Sequence, residues 1–447
     1  MGIPQRMLSK LKSFFREDFV RDITKLLSGT VLAQVINFAL TPVLTRLFSP
    51  SDYGVFSVFT SIVSVLAVVA CLRYEVAIVL PEEDKDAESL FQLSAFISLG
   101  FTVCLFPLFW FFRDFIGGML KTRVDLPLTL LSLMTIFLIG RVSAYNYLLT
   151  RKKKYKLISI ARVVTALSSS ILPICFWLCW GRAFYGLVLG FIAGFAINFI
   201  IFRLSVGKSF TGTPVLKNIR AVAKRYSRFP IYDTWSSLLN NLAWQVVPMM
   251  LSFQFSDAVA GQYSLGLKMI QSPMSIIGAS VGQVFFEKAC REREGGDLYA
   301  FTKLTIRRFL IIAAIPIGIL AMFGKVLFGV IFGREWGIAG FYTQILSPWA
   351  IVWFVASITS TVLIITERQR ELLIINIIIL ASRILSLLVG KALGGSTITV
   401  VLLSATGFLV YLLVLIRVLH SAKLATPLGP GQPTNKYSDS GERPNEA

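Results

Sequence analysis

Apolar residues run together in long blocks along most of the chain, and polar residues gather in short gaps between them. A helix of about 20 residues crosses a hydrocarbon layer about 30 Å thick. Twelve blocks reach that length: 25–46, 55–80, 88–112, 126–150, 157–180, 183–203, 229–254, 258–285, 303–332, 339–366, 372–393 and 397–420. The pattern predicts an all-α polytopic membrane protein with twelve transmembrane helices. No gap can hold a separate soluble domain, and the longest, 204–228, has 25 residues.

The gaps also divide the chain. Residues 1–24 form a basic amphipathic segment. In it Met7, Leu8, Leu11, Phe14, Phe15 and Phe19 fall at helical spacing with Lys10, Lys12 and Arg16 between them, as in a helix lying on a membrane surface. Residues 25–203 and 229–420 are two lobes of six helices each, joined by the basic connector 204–228. Residues 421–447, rich in Pro, Gly, Ser, Asn and Glu, are expected to be a disordered tail.

Composition agrees. Hydrophobic residues make up 55% and charged residues 15%, against about 25% charged in soluble domains. Mean hydropathy is +0.71. These values argue against a disordered, collagen-like or coiled-coil chain. The net charge of +20 would suggest nucleic acid in a soluble protein. Here its distribution explains it, so no nucleic-acid partner is expected. Lys and Arg crowd the N-terminal tail, 151–156, 203–228, 288–308 and the stretch from Arg417 onward. The opposite side holds only Arg46, Arg113, Lys121, Arg123, Arg182, Lys325, Arg334 and Lys391. Cytoplasmic loops collect positive charge, so both termini are expected in the cytoplasm.

Several chemistries are not expected. Cys71, Cys104, Cys175, Cys179 and Cys290 have no His or acid placed to complete a metal site, and read as small hydrophobes. No secretory cleavage pattern is present. His420 is the one histidine. No Gly-x4-Gly-Lys-Ser/Thr loop is present, so ATP hydrolysis by this chain is not expected to drive it.

An internal repeat sets the relation of the lobes. Pro42 is followed after eleven residues by Gly54-Val55-Phe56-Ser57, and Pro248 after twelve by Gly261-Gln262-Tyr263-Ser264. The matches lie six spans apart. That predicts parallel halves about an axis along the membrane normal, with a substrate site between them.

Charges inside the spans identify candidate site residues. A charged side chain costs about 2.5–3.5 kcal/mol at a helix centre, so it must face water, a partner or a ligand. Arg73 and Glu75 fall in the second span, Arg141 in the fourth, Arg162 in the fifth, Asp233 in the seventh, Lys268 in the eighth and Arg383 in the eleventh. Arg73 and Glu75 are two residues apart and would leave a helix in different directions. Five bases against two acids predict a wet cationic cavity for an anionic substrate, with Arg and Lys on phosphate. Arg141, Lys268 and Arg383 are the deep candidates, and Arg73 and Arg162 the candidates at the inner mouth. Arg73, Arg162 and Asp233 also lie near enough to span ends to snorkel. Asp233 and Glu75 are candidates for coupling to an ion. Pro107, Pro173, Pro248, Pro273, Pro316 and Pro348 interrupt spans and predict kinks.

Five connector strings carry a family signature: Leu44-Thr45-Arg46-Leu47-Phe48-Ser49-Pro50-Ser51-Asp52-Tyr53-Gly54, Arg73-Tyr74-Glu75-Val76-Ala77-Ile78-Val79-Leu80-Pro81, Lys224-Arg225-Tyr226-Ser227-Arg228-Phe229-Pro230, Gln283-Val284-Phe285-Phe286 and Phe332-Gly333-Arg334-Glu335-Trp336. In that order they resemble the Wzx-type oligosaccharide flippases of the multidrug/oligosaccharidyl-lipid/polysaccharide (MOP) superfamily, over about residues 25–420. The resemblance implies a V-shaped bundle of two six-helix lobes in the bacterial inner membrane. It implies alternating access that moves an undecaprenyl-pyrophosphate-linked oligosaccharide (an O-antigen, capsule or exopolysaccharide unit) from the inner to the outer leaflet. No cofactor is expected, and H+ or Na+ is the coupling ion the family suggests. Expected partners are membrane lipids, a polysaccharide polymerase and a chain-length regulator. Two other readings remain. A drug/cation antiporter of the same superfamily would need an acidic cavity. A membrane polymerase or ligase would need positioned acid–base groups and a large outer loop.

Overall fold

Ser49-Pro50-Ser51-Asp52 starts a helix through its own side chains. Ser49 Oγ accepts from the Asp52 N–H at 3.2 Å, and Asp52 Oδ2 accepts from the Ser49 N–H at 3.0 Å. Pro50 occupies a position where an N–H would lack a partner. In the computed structural model, which describes residues 28–120, 126–181, 184–206 and 216–425, this helix is α2 (Pro50–Val69), preceded by α1 (Ser28–Leu47). There follow α3 (Tyr74–Ala77), α4 (Asp84–Phe111), α5 (Arg113–Leu120), α6 (Leu126–Arg151), α7 (Tyr155–Trp180), α8 (Tyr185–Val206) and α9 (Leu216–Arg225). A π-turn (Phe229–Asp233) leads to α10 (Thr234–Gln254), α11 (Asp257–Gly295) and α12 (Leu298–Ile331). A 3₁₀ turn (Arg334–Trp336) leads to α13 (Gly337–Thr359), α14 (Thr361–Ile365), α15 (Gln369–Ala392) and α16 (Ser396–Ala425). Among the described residues there is no strand.

Among the described residues, ten helical segments are long and apolar enough to cross a membrane. The expected seventh and eighth spans, α10 and α11, have the length but not the apolarity, because each carries a polar stripe. The second span departs further from expectation. Its helix stops at Val69, and the chain turns through Leu72 and Arg73 at φ 48° and 61° into the short α3. That break brings Arg73 Nη1 to 3.7 Å from Glu75 Oε1, a pairing that a continuous helix would not make. Helix α11 continues past Gln283–Phe286 to Gly295, and α16 passes residue 420 to end at Ala425. The tail expected from 421 therefore begins inside a helix. The connector 204–228 contains α9, which packs on α4. The amphipathic segment 1–24 and residues 426–447 lie outside the described residues.

Helices α2, α4, α6, α7 and α8 pack among themselves, as do α10–α16. The lobes meet where α2 lies against α10 and α11. Here the repeat acquires physical meaning. A Cβ on Gly54 would stand 1.8 Å from the Asp257 carbonyl oxygen, and one on Gly261 would stand 2.0 Å from that of Pro50. Asp257 is as far along the chain from Pro50 as Gly261 is from Gly54, so the contact is reciprocal. The helix starts also correspond: Ser49 caps α2 and Ser256 caps α11, accepting from the Val259 N–H at 3.2 Å. Only glycine lets the two backbones approach this closely.

On the far side of that crossing from the cavity described below, two of the signature strings touch. Trp336 is buried, donates from Nε1 to the Thr45 carbonyl oxygen at 2.8 Å, and stacks edge-on with Tyr53 at 5.1 Å. Gln262 holds the 3₁₀ turn from within the second lobe, with Nε2 donating to the Glu335 oxygen and Oε1 accepting from the Ala339 N–H, both at 2.7 Å. At the end where the basic connectors lie, the string that begins at Arg73 meets residues on either side of the Lys224–Pro230 string. Tyr74 donates to the Ala223 carbonyl oxygen at 3.0 Å, and Arg73 Nε donates to Asp233 Oδ2 at 2.8 Å.

Candidate functional site

Between these two ends lies a cavity of about 910 Å³, walled by α1, α2, α10 and α11. Each helix contributes one face. On α11 the lining residues are Ser264, Leu267, Lys268, Gln271, Ser272 and Ser275; on α10 they include Ser237, Asn240, Asn241, Trp244, Gln245 and Pro248. These are three and four residues apart, the spacing of a single helical face. Gln34 and Asn37 of α1 and Ser57, Thr60 and Ser61 of α2 complete the polar wall. The stripes are why α10 and α11 fall short of an apolar span. Pro248 and Pro273 lie inside these two helices.

The lining is mostly neutral. Hydroxyls and carboxamides dominate, Lys268 and Arg73 are its cations, and no Asp or Glu is among the lining residues. Ser61 donates to Gln245 Oε1 at 3.0 Å and joins the two lobes across the cavity. Among the described residues, no hydrogen bond or ion pair holds Lys268, and the side-chain amides of Gln34, Asn240, Asn241 and Gln271 make none. Buried Asn241 Oδ1 and Ser264 Oγ likewise lack partners among the described residues. The wall therefore has hydrogen-bonding capacity that the protein does not use internally.

The expectation of five bases in one cavity needs correction. Lys268 and Arg73 line it. Arg141 lies inside the first lobe, with its guanidinium carbon 4.6 Å from the Phe91 ring centre and 5.2 Å from that of Tyr145. Arg383 lies behind the cavity wall in the second lobe, 4.1 Å from the Trp244 ring centre, and donates to the Ala243 carbonyl oxygen. Arg162 is exposed on α7 and donates to Thr30 of α1. Aromatic faces shelter Arg141 and Arg383, so neither needs to reach the cavity. Asp233 pairs with Arg73 at the basic end, and Glu75 is buried beside Arg73.

The neutral amides and Trp244 lie outside the charged residues that the sequence singles out. Their signal is polar residues at helical spacing within otherwise apolar runs. It carries no charge, so charges within spans do not reveal it.

Residues 43–339 match the family model described as polysaccharide biosynthesis protein. No curated protein matches the chain by sequence. Among solved structures the chain is similar to an inward-facing multidrug-resistance transporter of the MATE family in the MOP superfamily, with TM-score 0.70 and 13% identity over 88% of this chain and 95% of that one. It is also similar to the lipid II flippase MurJ in an inward closed conformation, with TM-score 0.68 and 14% identity over 89% and 90%. A MOP-superfamily transporter from Pyrococcus furiosus gives TM-score 0.61 and 11% identity over 91% and 96%. At these identities the likeness is one of fold.

Proposed function

Since the chain belongs to the polysaccharide biosynthesis family, with the fold of MOP-superfamily transporters, we propose that it is a flippase for a polyprenyl-diphosphate-linked oligosaccharide. The unit would move from the inner to the outer leaflet of a bacterial inner membrane. The basic connectors set the orientation, with both termini cytoplasmic. The cavity then lies on the cytoplasmic side of the Gly54–Gly261 crossing, where a substrate made in the cytoplasm enters.

The observation that carries this reading is the cavity itself. It lies between two lobes of a membrane-spanning bundle, its wall is rich in carboxamides and hydroxyls that suit a hydroxyl-bearing ligand, and an ammonium without a partner among the described residues, Lys268, suits an anion. Lys268 takes the diphosphate, and Arg73 receives it at the mouth, exchanging Asp233 for phosphate. The lipid tail stays in the bilayer. H+ or Na+ drives the cycle, with Asp233 and Glu75 as the groups that respond. A polysaccharide polymerase and a chain-length regulator act next on the unit that arrives outside. The drug/cation reading lacks an acid among the cavity-lining residues.

Deletion of the gene in its host tests the proposal. The expected result is loss of surface polysaccharide, with lipid-linked units accumulating on the inner leaflet of intact spheroplasts. Units that reach the outer leaflet but remain unpolymerised would favour a polymerase instead.

A further inference from the structure

Ligand pockets are usually walled by apolar side chains with a few polar groups. This cavity inverts that composition. Carboxamides and hydroxyls make up most of its wall, and Gln34, Asn240, Asn241 and Gln271 have no partner among the described residues. A ligand that satisfies them must itself be dense in hydroxyls. The one large aromatic surface is Trp244, half-buried on α10. Its ring is held from behind. The Arg383 guanidinium lies 4.1 Å from its centre, Trp353 meets it edge-on at 5.5 Å, and Trp349 is 6.1 Å away. Arg383 is anchored in turn to the Ala243 carbonyl oxygen, on the same helix as Trp244. A cation on one face and two indoles around it leave this ring little freedom.

We propose that the cavity binds the sugar portion of its substrate as an uncharged saccharide laid against Trp244 and hydrogen-bonded by the surrounding carboxamides, with Arg383 as a positioning residue for that indole. The proposal rests on the flippase reading above and specifies its substrate class. A sugar ring has an apolar C–H face and a polar rim. The indole meets the face, and the amides meet the rim. The charge balance argues for a neutral sugar. On the flippase reading Lys268 takes the diphosphate, and Arg73 is paired with Asp233, so among the described lining residues no further cation remains for a uronate. Arg383 is already committed to the Trp244 ring and the Ala243 carbonyl oxygen.

The test uses the full chain in lipid nanodiscs, with binding measured by native mass spectrometry. Three lipids are compared: undecaprenyl diphosphate, the same lipid carrying a neutral trisaccharide, and the trisaccharide with its terminal hexose replaced by a hexuronic acid. The neutral glycolipid should bind about tenfold tighter than the bare lipid, roughly 1.4 kcal/mol. The uronate should lose most of that gain. Trp244→Ala should bring the bare and neutral lipids to the same affinity, and Trp244→Phe should keep the gain within about threefold. Arg383→Gln should shrink the gain and Arg383→Lys restore it, a split that general loss of packing would not produce. Equal binding of bare and neutral lipids by the wild type, or a preference for the uronate, would overturn the proposal while leaving the flippase reading intact. Failure of all three lipids to bind would overturn both.

Discussion

Lys268 and Gly54 illustrate two ways in which one residue decides an outcome here. Lys268 is the lining ammonium without a partner among the described residues, so its contribution appears only with substrate. A charge-assisted hydrogen bond contributes about 1.5–3 kcal/mol. Lys268→Ala should therefore slow polysaccharide export at least about tenfold at equal protein level. Lys268→Arg should retain most of it. Gly54 acts without substrate. A methyl group there would meet the Asp257 carbonyl oxygen, and backbone cannot rotate away. Overpacking of this kind costs about 1–3 kcal/mol. Gly54→Ala and Gly261→Ala should each lower the thermal unfolding midpoint in detergent. Gly100→Ala, with nothing within 4 Å of the added carbon, should not.

The same residues organise into stripes at the scale of the helix. Ser237, Asn240, Asn241, Trp244, Gln245 and Pro248 form one face of α10, and Ser264, Lys268, Gln271 and Ser275 one face of α11. Replacing Asn240, Asn241 and Gln271 together by Leu should leave folding and membrane insertion intact, since it makes α10 and α11 more apolar. The variant should nonetheless abolish export, which cell fractionation and a polysaccharide gel would separate. The places of the spans along the chain were legible because twenty-residue apolar blocks have few alternatives in lipid, but not all of their ends, since α2 stops at Val69 and α11 runs on to Gly295. The Gly54 and Gly261 strings were legible as a repeat, though not as each other's contact surface. Less could be read from the charges. Arg141 and Arg383 lie as deep in their spans as Lys268. Aromatic neighbours far away in sequence, Phe91 for Arg141 and Trp244 for Arg383, decide that they turn away from the cavity. The break at Leu72 and Arg73 also left no mark in the apolar pattern, because it depends on contacts with Asp233 and α9.

For the molecule as a whole, the two lobes are tied on both sides of the cavity. Beyond the Gly54–Gly261 crossing, Trp336 is bonded to Thr45 and stacked on Tyr53. At the basic end the tie is the ion pair of Arg73 and Asp233, partly open to solvent. Backbone packing and a buried indole make the first tie the stronger. A half-exposed ion pair contributes only about 0–1 kcal/mol, so the second can release as substrate enters. Arg73→Asp and Asp233→Arg should each impair export. Combined, they should recover the lobe closure without recovering phosphate capture. Disulfide trapping between Cys at positions 73 and 233 should lock the cavity and stop transport until reductant is added.

Carriage of a diphosphate-linked saccharide across a bilayer can be followed in proteoliposomes holding the purified protein and an undecaprenyl-diphosphate-linked neutral oligosaccharide, by how much glycan becomes accessible to an impermeant glycosidase. A flippase should give a protein-dependent increase in accessible glycan, strongly slowed by Lys268→Ala. Accessibility equal to that of protein-free liposomes, under an imposed H+ or Na+ gradient as well as without one, would contradict the flippase reading.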